Sequence, residues 1–579
     1  MLRRYWFRGT VLAIGGMLLA GCGSVSSRHD PLETAGSASL RGTGTDVPAE
    51  KAAQAHAHYA AAVIHEMDGE TEAALQEYYQ AAAGDPGNEW VVLEVSGRFL
   101  QNKQPDKALE LLTRAAAQPK ASGAVFARLG VVYAQLGKYD QASNADRAAI
   151  KKSPESLTGY QNLFLNLLQN KQQAESLKVL DEAARQPDAD AEFLVTLSEL
   201  YASFVLQVPA EKEKVYAKAR AVLNRAQKLS PTDARLRLRL AEGFILVGDT
   251  DKAAEVYLEL LKKLPDAPFI RERVHARLAD IYLRSSEHKR AVEQLEAILR
   301  DDPTNPQAYY YLGYLAFNDK KTAEAADYFS KALLLNPEFQ EAYFDLALAQ
   351  IGLNRTSDAL ATLEKARARF PEGPMSFVLE FYTGLAYSRQ KAYPQALRHF
   401  NEAEIIAQAS ASNHLDQNLY FQLGAAAERT GDFAQAEKYF QKCLEKSPDF
   451  AEAQNYLGYM WAEHGMKLEE ARGLIEKAVK AEPNNGAYLD SLGWVLFKLD
   501  RPKEALGYIL KAIELSKKEE EDATLYEHLG DVYAALKEPG KAREAWTKSL
   551  SLEPNEAVRK KLGPGETKSP KNEVENKSE

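Results

Sequence analysis

Apolar and small residues recur along the chain with a fixed step. Leu-Gly or Leu-Ala pairs stand at Leu129-Gly130, Leu240-Ala241, Leu278-Ala279, Leu312-Gly313, Leu346-Ala347, Leu423-Gly424, Leu457-Gly458, Leu492-Gly493 and Leu529-Gly530, most of them soon followed by an aromatic. The step from Ala279 to Gly313, from Gly313 to Ala347 and from Gly424 to Gly458 is 34 residues, and the same step joins Ala62, Ser96 and Gly130. Twelve residues beyond the small residue an alanine recurs, as at Ala253, Ala291, Ala325, Ala359, Ala396, Ala436 and Ala505. Four further on comes a large side chain: Tyr257, Leu295, Phe329, Leu363, Phe400, Phe440 or Ile509. This spacing predicts pairs of helices: Gly or Ala on the first and Ala on the second let them approach closely, and the large residue one turn later fills the space beside the crossing. Ala332, Ala366 and Ala478 leave room for the next first helix. Charged residues such as Glu324, Asp327 and Lys331 mark solvated faces of second helices.

The prolines agree with this division. Twelve of the 24, from Pro86 and Pro119 to Pro483 and Pro554, fall at unit ends, where a residue without an amide hydrogen stops the second helix. Pro105, Pro394, Pro502 and Pro539 sit in the turn inside a unit, and Gly69, Gly137, Gly248 and Gly431 occupy that turn elsewhere. The whole pattern resembles the tetratricopeptide repeat, over about residues 52 to 556. The resemblance implies an all-α fold, a right-handed α-solenoid of about fourteen helix-turn-helix repeats. The unit at 157–189 fits weakly, with Asn162 or Phe164 where a small residue is expected. The unit starting near 190 is expected to carry an insertion, Gln207 to Val215, in its inter-helix loop, and Ile405 to Leu415 form a second irregularity.

Residues 1–21 combine Arg3, Arg4 and Arg8 with an apolar run from Val11 to Ala20, the pattern of a secretory signal peptide, and the run is too short to span a membrane. Leu19-Ala20-Gly21-Cys22 resembles the lipobox of bacterial lipoproteins, which implies cleavage before Cys22 and its lipidation. Gly23, in place of Asp, resembles the sorting pattern of outer-membrane lipoproteins facing the periplasm; a Gram-positive surface lipoprotein is the other possibility. Residues 22–51 are the lipidated cysteine and a Gly/Ser-rich tether with a root-mean-square reach of roughly 30 Å. Residues 557–579 are expected to be a disordered charged tail.

Of 579 residues, 72 are Lys or Arg and 82 are Asp or Glu, a balance that argues against nucleic acid as a partner. Two cysteines, Cys22 and Cys443, make no disulfide framework, and Cys443 stands at a small core position. No phosphate-binding loop, HExxH or nucleophile elbow occurs, and His56, His58 and His65 are expected to be solvated rather than metal ligands. These features predict a protein without catalytic chemistry, cofactor or metal.

What remains is surface. In tetratricopeptide arrays the residues three before, one after and four after the small residue line the concave face, which here implies Tyr310, Tyr314, Phe317, Phe344, Leu348, Ile351, Phe381 and Leu385, with Trp494 and Phe497 further on. This lining is either a groove for a partner's extended segment or amphipathic helix, or core closed by the winding of the array. It lacks the Lys, Arg and Asn set that clamps chaperone tails. The expected function is a membrane-anchored scaffold or adaptor of the bacterial envelope. An accessory of a secretion, pilus or polysaccharide-export machine is an alternative, and an envelope enzyme with an unrecognised site is a second.

Overall fold

In the second helix of one repeat, Phe329 lies against Gly313 of the first so closely that a methyl group on the glycine would come within 2.7 Å of the ring. Gly424 meets Phe440 at 2.8 Å in the same way, and Gly458 meets Ile475 at 2.6 Å. Ala325, Ala359, Ala396 and Ala436, each four residues earlier than the large side chain of its own repeat, are fully buried in crossings of this kind. The small-and-large code therefore acts as a lock between the two helices of each repeat.

The computed structural model describes residues 47–263, 267–371, 375–410, 414–516 and 521–562. The signal sequence, Cys22, the linker up to residue 46, residues 411–413 and the tail beyond residue 562 lie outside the described residues. Among the described residues there is no strand. The chain divides into two compact units, residues 1–231 and 232–579. The first contains five helix pairs: Val47–Met67 with Thr71–Gly84, Glu89–Gln101 with Pro105–Ala116, Gly123–Gln135 with Tyr139–Lys152, Leu157–Gln169 with Gln173–Ala183, and Ala191–Gln207 with Lys212–Lys228. The second contains nine, from Ala234–Leu246 with Thr250–Lys263 to Ala523–Ala535 with Pro539–Leu552. Within each unit a helix packs on its sequence neighbours, and most first helices touch the next first helix.

Three boundaries differ from expectation. The first helix begins at Val47, inside the segment read as tether. Residues 556–561, assigned at the sequence level almost entirely to the disordered tail, form a short helix. Asn555 caps it by accepting from the backbone of Ala557 and Val558, Val558 is fully buried, and Lys561 pairs with Glu527 at 2.9 Å and Asp531 at 2.7 Å. One buried side chain and two ion pairs order a stretch whose composition reads as solvent-loving. The third concerns Gln207 to Val215: instead of a long loop, both helices of that unit extend to 17 residues and a three-residue 3-10 turn, Pro209–Glu211, joins them.

Except in the repeat joined by that 3-10 turn, the turn inside each repeat has one geometry. Seven residues past the small position the backbone takes positive φ, at Gly69 (78°) and Gly431 (83°) but also at Lys103 (57°), Lys320 (62°), Asn354 (60°) and Asp500 (59°). At Lys320 the turn is closed by Lys320 N–H to the Phe317 carbonyl (3.0 Å) and Lys321 N–H to the Ala316 carbonyl (2.9 Å), a Schellman pair that satisfies the end of the first helix. The four prolines read as turn residues open the second helix instead, at its first or second position.

The weak unit also folds as a helix pair, with Phe164 buried at the position of the small residue. In the repeat before it the ring position is taken by Asp146, only 1% exposed, whose Oδ1 has no hydrogen-bond partner. Burial pushes this carboxyl up to about 7, and the Asn162 side chain only partly offsets the rise. Because its folded pKa lies above the unfolded value, the protonated group favours the fold, and stability falls as pH rises from about 4 to about 7.

Two outcomes follow. Gly431→Ala should lower stability by about 1 kcal/mol, and Lys320→Gly should raise it by roughly 0.5–1 kcal/mol, because only glycine takes this conformation without strain; denaturant titration followed by circular dichroism reads both. Asp146→Asn should stabilise the protein at pH 8 by ~2–4 kcal/mol relative to wild type and by much less near pH 4. Parallel pH–stability curves for the two proteins would refute the buried, protonated Asp146.

Candidate functional site: the face of the first helices

The face is built from a regular contact between successive first helices. The residue three before the small position leans on the residue two before it in the next repeat. The Tyr59 hydroxyl donates to Glu94 in this way, and the Tyr310 hydroxyl donates to Asp345 Oδ2 at 2.6 Å. Phe344 meets Tyr382 edge-on at 6.5 Å, and Phe421 meets Tyr456 at 5.2 Å. His528 Nδ1 lies 2.9 Å from Asp490 Oδ2, and Asn162 donates to the Ala127 carbonyl at 2.9 Å. Aromatic and polar versions of one contact thus link neighbouring repeats.

This contact corrects part of the expected lining. Tyr310, Phe344 and Trp494 are buried, because the next first helix or a neighbouring side chain covers each of them. Burial and the Asp345 carboxylate raise the Tyr310 phenol, and burial raises Asp345 to about 6 despite the tyrosine's hydrogen bond. Trp494 is sandwiched between His528 at 3.9 Å and Phe497 at 5.1 Å, and its Nε1 donates to Glu463 at 2.6 Å. Phe381 rests on Phe377 and Phe400, both at 5.7 Å. Tyr314 is 40% exposed, and Phe317, Leu348, Ile351, Leu385 and Phe497 are half-buried. The accessible apolar positions therefore concentrate one and four residues after the small residue, in the helices Pro306–Asn318, Gln340–Gly352 and Ser376–Arg389.

Two polar clusters were not singled out from the sequence. His528 joins Asp490 across 38 residues; burial pulls its pKa down, and the Asp490 carboxylate outweighs that and raises it overall. Glu380, His399 and Glu402 place three donor atoms within 4.8 Å of one another. Arg398 Nη2 lies 3.2 Å from His399 Nε2, and a guanidinium only donates, so Nε2 accepts and Nδ1 carries the proton to Glu380 at 2.7 Å. Arg367 holds the other Glu380 oxygen. Burial pushes Glu380 up, but the His399 and Arg367 hydrogen bonds outweigh it and bring the carboxyl to about 2. The arrangement is an internal chain of hydrogen bonds rather than a set of free ligands. A spacing of 19 residues from one helix to the next was the signal available for Glu380 and His399.

The histidines of the first helix do not converge: His58 pairs with Glu77 and His65 with Glu70, each at 2.6 Å. Cys443 is buried, its Sγ donates to the Gln417 carbonyl at 3.2 Å, and burial, with Asp416 and Glu452 nearby, raises the thiol to about 12.

Comparison with known proteins places this geometry among relatives. Tetratricopeptide repeat matches cover residues 98–156, 212–268, 277–343, 421–486 and 466–520, with further matches of the same description over 316–375, 381–448 and 523–556. A TPR repeat-containing protein of Pseudomonas aeruginosa is 30% identical over 212 residues, 36% of this chain and 34% of that protein. The type IV pilus assembly protein PilF of the same species is 29% identical over 140 residues, 24% of this chain and 55% of PilF. The chain thus spans a third to about half the length of these two relatives. Among solved structures, the APC/C hetero-tetramer Cut9-Hcn1 aligns with 81% of this chain and 94% of the matched chain, at 15% identity and a TM-score of 0.38.

The difference between packed and accessible positions is measurable. Tyr310→Phe should lower stability by about 1–2 kcal/mol, because Asp345 keeps its burial and loses its donor. Tyr314→Ala should change stability by less than about 0.5 kcal/mol; equal losses for the two in denaturant titrations would place Tyr314 in the core.

Proposed function

Because the chain belongs to the tetratricopeptide repeat family, we propose that it is a scaffold or adaptor that holds a protein partner on the face of its first helices and is anchored to a bacterial membrane through Cys22. The observation that carries the partner site is the accessible strip of Tyr314, Phe317, Leu348, Ile351 and Leu385, on three successive first helices. Large apolar side chains with access to solvent, arrayed on a rigid support, suit the apolar stripe of an amphipathic helix or the alternate side chains of an extended segment. Binding there needs no cofactor, metal or catalytic group.

The anchor is supported by the lipobox-like Leu19-Ala20-Gly21-Cys22 and the charged, apolar segment before it. No helix among the described residues is long and apolar enough to cross a membrane. Acyl chains on Cys22 would place the array on the periplasmic face of the outer membrane, with part of the chain before Val47 as linker. The similarity to PilF favours one narrower version, an accessory of a pilus or related export machine.

Site-specific photo-crosslinking from Tyr314 and Leu348 in cells, followed by binding measurements with the purified captured protein, tests the site. Tyr314→Ala should weaken that binding about thirtyfold with unfolding unchanged, the effect of removing one anchor of ~2 kcal/mol. Affinity unchanged in both Tyr314→Ala and Leu348→Ala would remove the strip as the partner site. Cys22→Ser should release the protein from the membrane fraction, and retention after carbonate washing would overturn the lipid anchor.

A further inference from the structure

In a stack of repeats the second helix of one repeat backs the first helix of the next. The residues that receive it are legible at the helix Leu157–Gln169. A methyl group on Gly159 would meet Ile150 and Ala149, near the end of the preceding second helix, at 3.0–3.2 Å. Asn166 donates to the Tyr139 carbonyl and to Ser143 Oγ, near the start of that same helix, at 3.0 and 2.8 Å, so the two helices run antiparallel. Gly159 and Asn166 lie five before and two after the small position. Elsewhere in the first unit these positions hold Val91, Val125, Phe193, Val132 and Leu200, all buried. In the first helix, Val47–Met67, they are Ala57 and Ile64, and both are exposed, Ile64 by 59%. Ala53, Ala60 and Met67 extend the strip, Met67 by now 83% exposed. Among the described residues no helix lies on it.

We propose that a second copy of this chain covers the strip, the two first helices pairing antiparallel about a twofold axis at Ala60. The strip has the step of a helix–helix seam: from Ala53 to Ala57, Ala60, Ile64 and Met67 the intervals are four, three, four and three residues. The opposite face of the same helix carries Ala55 and Ala62, both buried, so the helix has one face for its own repeat and one left over. The left-over face is self-complementary in a single direction. Turned about Ala60, the strip sets Ala57 against Ile64 of the second copy and Ala53 against Met67 of the second copy, a small residue opposite a large one in each layer. A parallel pair would instead set alanine on alanine at one end and Ile64 and Met67 on their own equivalents at the other, which leaves a gap where the small residues meet.

Charge and length agree with this register. Lys51 and Asp68 flank the two ends of the strip on one side; both are exposed, and neither side chain pairs with another described residue. The same twofold rotation brings Lys51 within about 2 Å, along the axis, of the level of Asp68 of the second copy, so the pair closes with two equivalent ion pairs. Val47 stands fifteen residues before the small residue Ala62, whereas Leu157 stands seven before Phe164, so the first helix is two turns longer toward its start. That added length is what carries Ala53 and Lys51, the partners this register gives to Met67 and Asp68. Glu50 and Thr71 bound the strip with polar side chains. The resulting seam is about 21 Å long, at the small end of specific interfaces, so association is reversible and of micromolar strength. It is also isologous, so pairing uses up the strip in both copies and stops at two. The pairing gives the terminal repeat the covering that a stack otherwise supplies, and it depends neither on acylation of Cys22 nor on the strip around Tyr314.

Sedimentation velocity on the full chain carrying Cys22→Ser tests the proposal. The mass should move from monomer to dimer as the concentration is raised through the micromolar range. Ala60→Arg sets two like charges together at the axis and should weaken the dimer about a hundredfold or more, with the unfolding curve unchanged. Lys51→Asp and Asp68→Lys should each weaken it, and the two together should restore it, a readout that holds even if Ala60→Arg disturbs the helix. Direction is read by cysteine pairing: when Ala57→Cys and Ile64→Cys chains are mixed and oxidised, the mixed disulfide should exceed either like-with-like product, while the buried Cys443 stays out of the reaction. A chain that remains monomeric throughout would overturn the proposal. So would a dimer indifferent to Ala60→Arg and to both charge substitutions, which would place the contact on another face. Like-with-like disulfides in excess would overturn the antiparallel pair.

Discussion

Phe329 against Gly313, with Ala325 buried beside them, is the contact on which the rest of the second unit is arranged. A glycine or alanine on the first helix lets the second approach until a ring or branched chain fills the remaining space, and dispersion between close-packed surfaces then holds the crossing. The distance between helices set in this way decides which side chains of one first helix can reach the next. It also explains why the turn inside every repeat but the one with extended helices takes the same positive φ: two helices locked at one distance leave one way for the backbone to reverse. Lysine, asparagine and aspartate accept that conformation at Lys320, Asn354 and Asp500 because the crossing demands it.

The first unit shows what happens when the code is broken. Asp146 takes the place of the ring against Gly130, where a methyl group on the glycine would collide with the carboxyl, and burial there raises that carboxyl to about 7. Phe164 takes the place of the small residue in the next repeat, and polar side chains there bond to backbone carbonyls of the repeat before, as Asn162 and Asn166 do. In a quasi-one-dimensional stack such a departure is felt by its own repeat and its neighbours, so the chain tolerates it without losing the pattern elsewhere.

The surface available for binding is what the contacts between repeats leave over. Tyr310 and Phe344 serve the next first helix, and Trp494 is held by His528, Phe497 and Glu463. Tyr314, one residue after the small position, has no place in that ladder and remains accessible. Packed and accessible residues therefore alternate within a few positions of one helix. A substitution's effect on stability or on partner affinity depends on which side of that division it falls.

By itself the sequence determined the fold class, the number of repeats, the small-and-large crossings and the buried Cys443, because each is set by residues a fixed step apart on regular helices. Periodicity also placed Tyr310, Tyr314, Phe344 and Trp494 on the first helices. Only the tertiary structure decided which of them face solvent, since that depends on how far the neighbouring helix advances over them. The helix Glu556–Lys561 escaped a reading by composition because one buried valine and two ion pairs to another helix outweigh its charge. His528 with Asp490 was equally illegible, and a 19-residue spacing was the one hint of Glu380 with His399: two groups far apart in sequence become partners only when packing removes water from both and leaves each the other to bond.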